Sequence, residues 1–296
     1  MASVGIPGAV GQTAIGAASM RARESERADR LFDDQYAGAF VDAAPEVAAR
    51  QRAAPSEPAS PGEPAALGAI FEAHVAIRTR FLDDYLLAAT AAGCRQVVLL
   101  AAGMDTRAYR LGWPAGTRLF EIDQPDVLAF KNAVLNSRGA VPRCDRAALA
   151  ADLREDWTGT LLGSGLRPTE RTAWLAEGLL IYLTAEEADR LLTATTGLSA
   201  PGSRIAFEYA DSRSDNTGAS DGGPVGRGLV RTMPGMSRIT ALWKGGLGAD
   251  TPDWLAGHGW QVQTHPIGPV AAAYNRQIPG RASGRFVTAS RGPRIP

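Results

Sequence analysis

The chain has 296 residues, 45% of them hydrophobic, enough apolar content to bury a sizeable core as one large domain or one domain with a cap. Its 31 basic and 31 acidic residues balance, with arginines scattered among carboxylates, which excludes the one-sided basic face of a nucleic-acid binder; no run of about 18 apolar residues is present to span a bilayer. Cys94 and Cys144 stand far apart, His74, His258 and His265 form no H-x-x-x-H pair, and the N-terminus lacks a basic-then-apolar leader, so the sequence predicts a soluble cytoplasmic protein without metal, membrane or nucleic-acid partner.

Residues 1–92 read as a helical cap. Thr13 to Asp34 sets small and apolar residues between charges at helical spacing, and Ala66 to Ala92 repeats the pattern with Ile70, His74, Ile77, Phe81 and Tyr85 near one face. Between them, residues 53–66 are rich in Pro, Ser and Glu and predict an exposed, mobile connection.

Residues 93–296 read as an α/β core. Short apolar runs alternate with amphipathic segments, as in parallel strands covered by helices. Strands are expected at Gln96–Ala101, Arg118–Ile122, Ala147–Ala150, Thr172–Ala176 and Arg204–Tyr209, and helices at Thr106–Leu111, Pro125–Asn136, Trp157–Leu162 and Ala185–Leu198. Pro125 suits a first helical turn, and Thr184 with Glu187 forms a capping box. The Gly-, Ser- and Asp-rich stretch after Asp211 is too long for an ordinary connection and predicts a substrate lid over about 211–250. A helix at Pro252–Gly257 and strands at Trp260–Thr264 and Arg285–Ala289 follow, the two strands pairing antiparallel at the sheet edge. The result is an open, doubly wound, mostly parallel sheet.

In such a sheet, ligands bind beyond the carboxyl ends of the strands. Those ends carry Gly103 with Asp105, Glu121 with Asp123, Asp152, Glu177, and Glu208 with Asp211. Glu121 or Asp123 suits two ribose hydroxyls, and Asp152 suits an adenine amino group. A dinucleotide loop needs three glycines for its pyrophosphate, whereas the first turn here, "AAGMDTR", keeps only Gly103. Acids at five strand ends repel phosphates, so the pattern points to a ligand that joins a nucleoside to a cation. S-adenosylmethionine has that chemistry.

The segments "RQVVLLAAGMDTRAYRL", "LFEIDQPDVLAFK", "AADLREDW", "AWLAEGLLIYL" and "LSAPGSRIAFEY", preceded by "TAIGAASMRARESERADRLFDDQYAGAFV", closely resemble the bacterial S-adenosylmethionine-dependent methyltransferases related to leucine carboxyl methyltransferase. The resemblance runs from Thr13 to about Tyr209 and weakens after Asp211. It implies a class I methyltransferase fold, Rossmann-like with an antiparallel edge strand and an N-terminal lid, and S-adenosyl-L-methionine as cofactor with S-adenosyl-L-homocysteine as product. By the same resemblance, Arg78 pairs with the methionyl carboxylate beside Ala102 and Gly103. Asp123, with Glu121 as neighbour, holds the ribose; Asp152 and Leu153 hold the adenine; and Glu177 lies near the methionyl amino group. Arg23, with Arg21 as alternative, stands where eukaryotic relatives use a lysine.

Two further positions concern the acceptor. Arg154 and Tyr182 match residues that hold the substrate carboxylate in the leucine carboxyl methyltransferases; the scaffold alternative is that Arg154 pairs with Glu155 or Asp156 and Tyr182 packs. A carboxylate acceptor needs no general base, whereas a phenol benefits from one, and His74, one turn before Arg78, is the candidate base. Tyr209 and Asp211 are the candidate substrate contacts. The expected function is O-methyl transfer to a small carboxylic acid or phenol of specialised metabolism. A protein C-terminal carboxyl methyltransferase and a non-catalytic S-adenosylmethionine-binding regulator are the alternatives.

Overall fold

The computed structural model describes residues 5–52, 63–209, 241–279 and 284–293. Helix α1 (Ala9–Glu26) is followed by α2 (Ala37–Asp42), α3 (Pro45–Arg52) and α4 (Glu63–Ala91). The sheet then begins with β1 (Gln96–Leu100), α5 (Arg107–Arg110), β2 (Arg118–Asp123), α6 (Pro125–Ser137), β3 (Asp145–Ala150), α7 (Thr158–Gly163) and β4 (Thr172–Ala176). A 3-10 turn at Leu180–Tyr182 leads to α8 (Ala185–Gly197) and β5 (Arg204–Tyr209); α9 (Thr251–Gly257), β6 (Trp260–Pro266), α10 (Ile267–Ala273) and β7 (Arg285–Arg291) complete the order. Most of the expected mobile stretch lies outside the described residues, but 63–66 open α4, where Pro64 is tolerated in a first helical turn. Asp211 and residues 211–240 also lie outside them.

The seven strands run in the order β3-β2-β1-β4-β5-β7-β6. The first five are parallel, and β7 is antiparallel to both β5 and β6. The last strand therefore inserts between β5 and β6 instead of adding to the outer edge. The order in which successive strands are added reverses between β1 and β4, which places the switch point, and any ligand crevice, beyond Leu100 and Ala176. Every residue of β1 and of β4 is buried, as expected for central parallel strands covered on both faces.

Alternation along these strands builds two apolar layers. Val97, Leu99, Ala173 and Leu175 face α4 and α6, meeting Leu82, Leu86, Phe130 and Val134. Val98, Leu100, Trp174 and Ala176 face α8 and α9, meeting Leu191, Leu192 and Leu255. The Thr184–Glu187 capping box is formed, with Thr184 Oγ1 accepting from the Glu187 N–H at 3.2 Å and Glu187 Oε2 accepting from the Thr184 N–H at 2.8 Å. It fixes the start of α8 immediately after the turn that carries Tyr182. Among the described residues no helix is long and apolar enough to cross a membrane.

Candidate active site

Beyond the carboxyl ends of β1, β2 and β4 lies a cavity of about 1120 Å³, walled on its other side by α1 and α4. Its floor is the turn after β1. Ala101 has a φ of 55° and Gly103 a φ of 45°; for Ala101 this left-handed backbone is sparsely populated and costs energy that the surrounding contacts must offset. The Ala102 N–H bonds the Ile122 carbonyl at 3.0 Å, and the Asp105 N–H bonds the Ala102 carbonyl at 2.9 Å. The Gly103 N–H reaches Asp123 Oδ2 at 2.6 Å, and the Gln124 N–H reaches Asp123 Oδ1 at 2.7 Å. Burial raises the Asp123 carboxyl above its ordinary range, against the lowering effect of these two backbone donors. Its oxygens thus sit at the end of β2 with acceptor capacity left for ligand hydroxyls.

A buried ion network supports the β4 side. Arg78 Nε reaches Glu177 Oε1 at 2.8 Å and Arg78 Nη1 reaches Glu208 Oε1 at 3.0 Å. Arg107 Nη1 holds Glu177 Oε2 at 2.7 Å and pairs with Asp105, while Arg107 Nε holds Asp83 Oδ1 at 2.6 Å. Arg110 pairs with Asp83. Burial alone would raise the Glu177 carboxyl, but Arg107 and Arg78 together hold it well below the ordinary range. Burial raises Glu208 despite Arg78. Five of the six strand-end acids with described side chains (Asp105, Glu121, Asp152, Glu177 and Glu208) are therefore ion-paired with arginines. This corrects the expectation of a site dominated by free carboxylates: Asp123 is the one held by backbone N–H groups without an ion pair among the described contacts.

The N-terminal helix forms the roof. The Gly8 N–H bonds Asp126 Oδ2 at 2.9 Å, at the first turn of α6, and Arg21 Nη2 bonds the Met104 carbonyl at 2.6 Å in the β1 turn. Arg21 Nε is held by buried Asp34 at 2.9 Å. A Cβ at Gly103 would lie 2.9 Å from Ala14 Cβ, so glycine there permits both the left-handed turn and the close approach of α1.

Of the residues singled out by sequence, Arg23, Arg78, Ala102, Gly103, Asp123, Glu177 and Tyr182 line this one cavity. Arg23 lies at the rim, half-exposed and paired with Glu72 at 2.8 Å, whereas its alternative Arg21 is buried and pinned against the β1 turn. Glu121 is displaced from the site: it is fully buried, with Lys131 Nζ at 2.8 Å and Arg146 Nη2 at 2.6 Å on its Oε2. Asp152 and Leu153 stand next to Ala151, whose N–H bonds the Asp123 carbonyl at 3.0 Å, but they do not line the cavity.

The acceptor positions fare differently. Arg154 is exposed and outside the cavity lining, wrapped onto Asp152 with Nη2 at 2.5 Å from Oδ2, instead of pairing with Glu155 or Asp156. That contact holds the Asp152 carboxyl well below its usual range. His74 also lies outside the lining, its ring 6.1 Å from that of Phe286; burial and then Arg78 push its pKa down to about 3, leaving a neutral, weak base. Tyr209 packs against the α8 layer and pairs in register with Arg285.

Arg107, Arg110, Leu242 and Trp243 line the cavity without having been singled out by sequence. The two arginines follow Asp105 in "DTRAYR", where a polar turn entering a buried helix was the available signal. Leu242 and Trp243 carry no motif. They are placed by the Lys244 and Gly245 N–H groups, which bond the Ile181 carbonyl at 2.8 and 3.0 Å, and by the Gly246 N–H on the Leu183 carbonyl at 2.8 Å.

Sheet order and cavity position define a class I methyltransferase fold. A family profile described as leucine carboxyl methyltransferase matches residues 14–196, and the chain belongs to that family of S-adenosyl-L-methionine-dependent methyltransferases. A protein of Parafrankia sp. (strain EAN1pec) named "Putative S-adenosyl-L-methionine-dependent methyltransferase" is 50% identical over 284 residues, covering 95% of this chain and 87% of its own length. A protein of the same description from Frankia alni is 48% identical, covering 97% of this chain and 96% of its own length. Among solved structures, a DUF574 family protein from Streptomyces avermitilis superposes with a TM-score of 0.52 at 14% identity, covering 93% of this chain and 97% of that one, a likeness of fold.

Proposed function

We propose that the protein is an O-methyltransferase acting on a small-molecule acceptor, a carboxylate or phenol of specialised metabolism, with residues 1–30 closing over the cofactor. The observation that carries this reading is the roofed cavity itself, in which Asp123 and Gly103 meet on the floor and α1 is tied to the floor through Arg21 and Met104.

The residues fit S-adenosyl-L-methionine. Asp123, which among the described residues accepts from the backbone N–H groups of Gly103 and Gln124, suits the ribose hydroxyls. Ala102 and Gly103 give close backbone approach, and Arg78, held by Glu177 and Glu208, lines the cavity with Arg21 and supplies guanidinium N–H groups for the methionyl end. When bound, the cofactor supplies an electrophilic methyl on a sulfonium. The chain's contribution is orientation and exclusion of water: the ion network fixes Glu177, the β1 turn fixes the floor, and α1 covers the reacting groups. A roof of this kind favours a small acceptor over a docked protein.

Radiolabelled methyl transfer from S-adenosyl-L-methionine to a panel of small carboxylic acids, phenols and peptides tests the reading. Label in small-molecule product supports it, and alkali distinguishes a labile methyl ester from a stable aryl ether. Label confined to peptides, or cofactor binding without any product, would overturn it.

A further inference from the structure

A chain of ion pairs runs through the cavity wall and ends behind it. Arg110 pairs with Asp83, Asp83 with Arg107, Arg107 with Asp105 and Glu177, Glu177 with Arg78, and Arg78 with Glu208. Arg78, Asp105, Arg107, Arg110 and Glu177 line the cavity; Glu208, near the end of β5, does not. It reaches the wall through two lining residues: its Oε1 accepts from Arg78 Nη1 at 3.0 Å and from the Gly178 N–H at 2.7 Å. Its Oε2 is buried and has no hydrogen-bond partner.

The charges of this chain of pairs do not balance. Among the described residues, three guanidiniums (Arg78, Arg107 and Arg110) meet four carboxylates (Asp83, Asp105, Glu177 and Glu208), so the fully ionised network has one surplus negative charge. Arg21 and Asp34 beside it form a neutral pair, and His74 on α4, with a pKa of about 3, is neutral at physiological pH. The surplus falls on Glu208. Two guanidiniums hold Glu177 ionised, whereas Glu208 shares one of them with Glu177, and its ionised form would leave a buried oxygen without a donor. Burial and the charge of Glu177 raise its carboxyl above the ordinary range, against Arg78 and the Gly178 N–H. On the β7 side its register partner is Phe286, while Arg285 stands opposite Tyr209 and faces the other side of the sheet. The 180–182 turn, which also packs on β5, contributes Tyr182.

Cofactor and product differ by one charge as well. S-adenosyl-L-methionine has an ammonium, a carboxylate and a sulfonium, so its net charge is positive; S-adenosyl-L-homocysteine keeps the ammonium and carboxylate, has a thioether for the sulfonium, and is neutral overall. We propose that Glu208 sets the preference of the site for the sulfonium ligand over its product, being protonated in the empty and product-bound protein and ionised when S-adenosyl-L-methionine is bound. The proton leaves Glu208 for solvent as the cofactor enters. It returns from solvent once the methyl group has gone and the sulfur is a thioether, which loosens the hold on the product. Glu208 touches no ligand; it is a positioning residue whose charge reaches the cavity through the wall of Arg78 and Gly178. Because the coupling is reciprocal, whatever ionises Glu208 tightens the sulfonium ligand. This rests on the methyltransferase reading and adds to it a residue that tells cofactor from product. Groups that both ligands meet alike, such as the ribose-binding Asp123, cancel from the comparison.

Calorimetric titration of S-adenosyl-L-methionine and of S-adenosyl-L-homocysteine into the full chain between pH 5.5 and 7 tests the assignment. Each titration is run in two buffers of different ionisation enthalpy, which counts the protons released. On the unaltered chain the preference for S-adenosyl-L-methionine over S-adenosyl-L-homocysteine, the ratio of their Kd values, is expected to grow at least about fivefold from pH 5.5 to pH 7. S-adenosyl-L-methionine is expected to release more protons than S-adenosyl-L-homocysteine. Glu208→Gln keeps an acceptor for Arg78 and the Gly178 N–H but cannot ionise; its preference is expected to stay within about twofold over the same range, with equal proton counts for the two ligands. A merely structural role would weaken both ligands together and leave the pH dependence of their ratio in place. A smaller rise or equal proton counts on the unaltered chain, or the same rise in Glu208→Gln, overturns the proposal. The proton counts on the unaltered chain decide the matter even if the variant does not fold. Failure of both ligands to bind at any pH would instead overturn the methyltransferase reading beneath it.

Discussion

Arg107 Nη1 donates to Glu177 Oε2 at 2.7 Å, joining the helix after β1 to the end of β4 across the switch point of the sheet. Arg107 also holds Asp83 of α4, so one guanidinium ties three elements together beneath the cavity. Replacing it with Met leaves Asp83 to Arg110 and Glu177 to Arg78 alone. Removing one member of a buried ion network costs about 3–5 kcal/mol. Thermal unfolding of Arg107→Met is expected to show a Tm lower by on the order of 10 °C, with weakened S-adenosyl-L-homocysteine binding below that temperature. A Tm within about 2 °C of the unaltered chain would show that the network is not a structural tie.

Arg154→Ala is expected to do little. Its side chain is half-exposed and, among the described residues, its ion pair is with Asp152; exposed pairs of this kind contribute about 0–1 kcal/mol. Steady-state kinetics should show KM for the acceptor changed less than about twofold. A rise of tenfold or more in KM for a carboxylate acceptor would reinstate Arg154 as its clamp.

Deletion of residues 1–30 removes the Gly8 to Asp126 and Arg21 to Met104 ties while leaving the seven-stranded sheet intact. Circular dichroism should retain the folded spectrum and calorimetry should lose tight cofactor binding. Unchanged affinity for S-adenosyl-L-methionine would contradict the assignment of α1 as a lid.

His74 gives a pH signature. Its pKa falls from 6.5 to about 3 on folding, so the folded state binds fewer protons than the unfolded chain. The associated stability is fully present above pH 6.5 and drains away as pH falls toward 3. Between pH 7 and 5 the loss is on the order of 2 kcal/mol. The stability from Glu177, whose carboxyl is lowered, is lost only below the ordinary carboxylate range. Urea unfolding of His74→Gln at pH 7, 6 and 5 should therefore give a flatter profile than the unaltered chain. Parallel profiles would mean that His74 is hydrated and titrates normally in the fold.

The parallel half of the sheet was legible because apolar runs such as Val97–Leu100 and Ala173–Ala176, buried on both faces, leave no other reading at that length. The insertion of β7 between β5 and β6 was not, since local pattern carries no information on strand order. Helix α10 was hidden by Gly268 and Pro269 in its first turn, and α2 and α3 by their brevity. At the site, Gly103, Asp123 and Glu177 were legible from their places at strand ends. Glu121 misled because it shares Asp123's face of β2, and its removal into a buried pair depends on Lys131 arriving from α6. Arg154 misled for the complementary reason: a chelate with Asp152, two residues away, turns it out of the lining. Trp243 was illegible because only its neighbours' backbone pairing with Ile181 brings it to the cavity.

The central claim is that the cavity between Asp123 and Gly103 on the floor and α1 on the roof holds the sulfonium nucleoside. Calorimetric titration of S-adenosyl-L-homocysteine into the full chain and into Asp123→Ala tests it most directly. Loss of hydrogen bonds to a charged group is worth about 1.5–3 kcal/mol, so the account predicts one binding site on the unaltered chain and affinity weaker by about tenfold to a hundredfold in the variant. No binding to the unaltered chain, or equal affinity in Asp123→Ala, would contradict it.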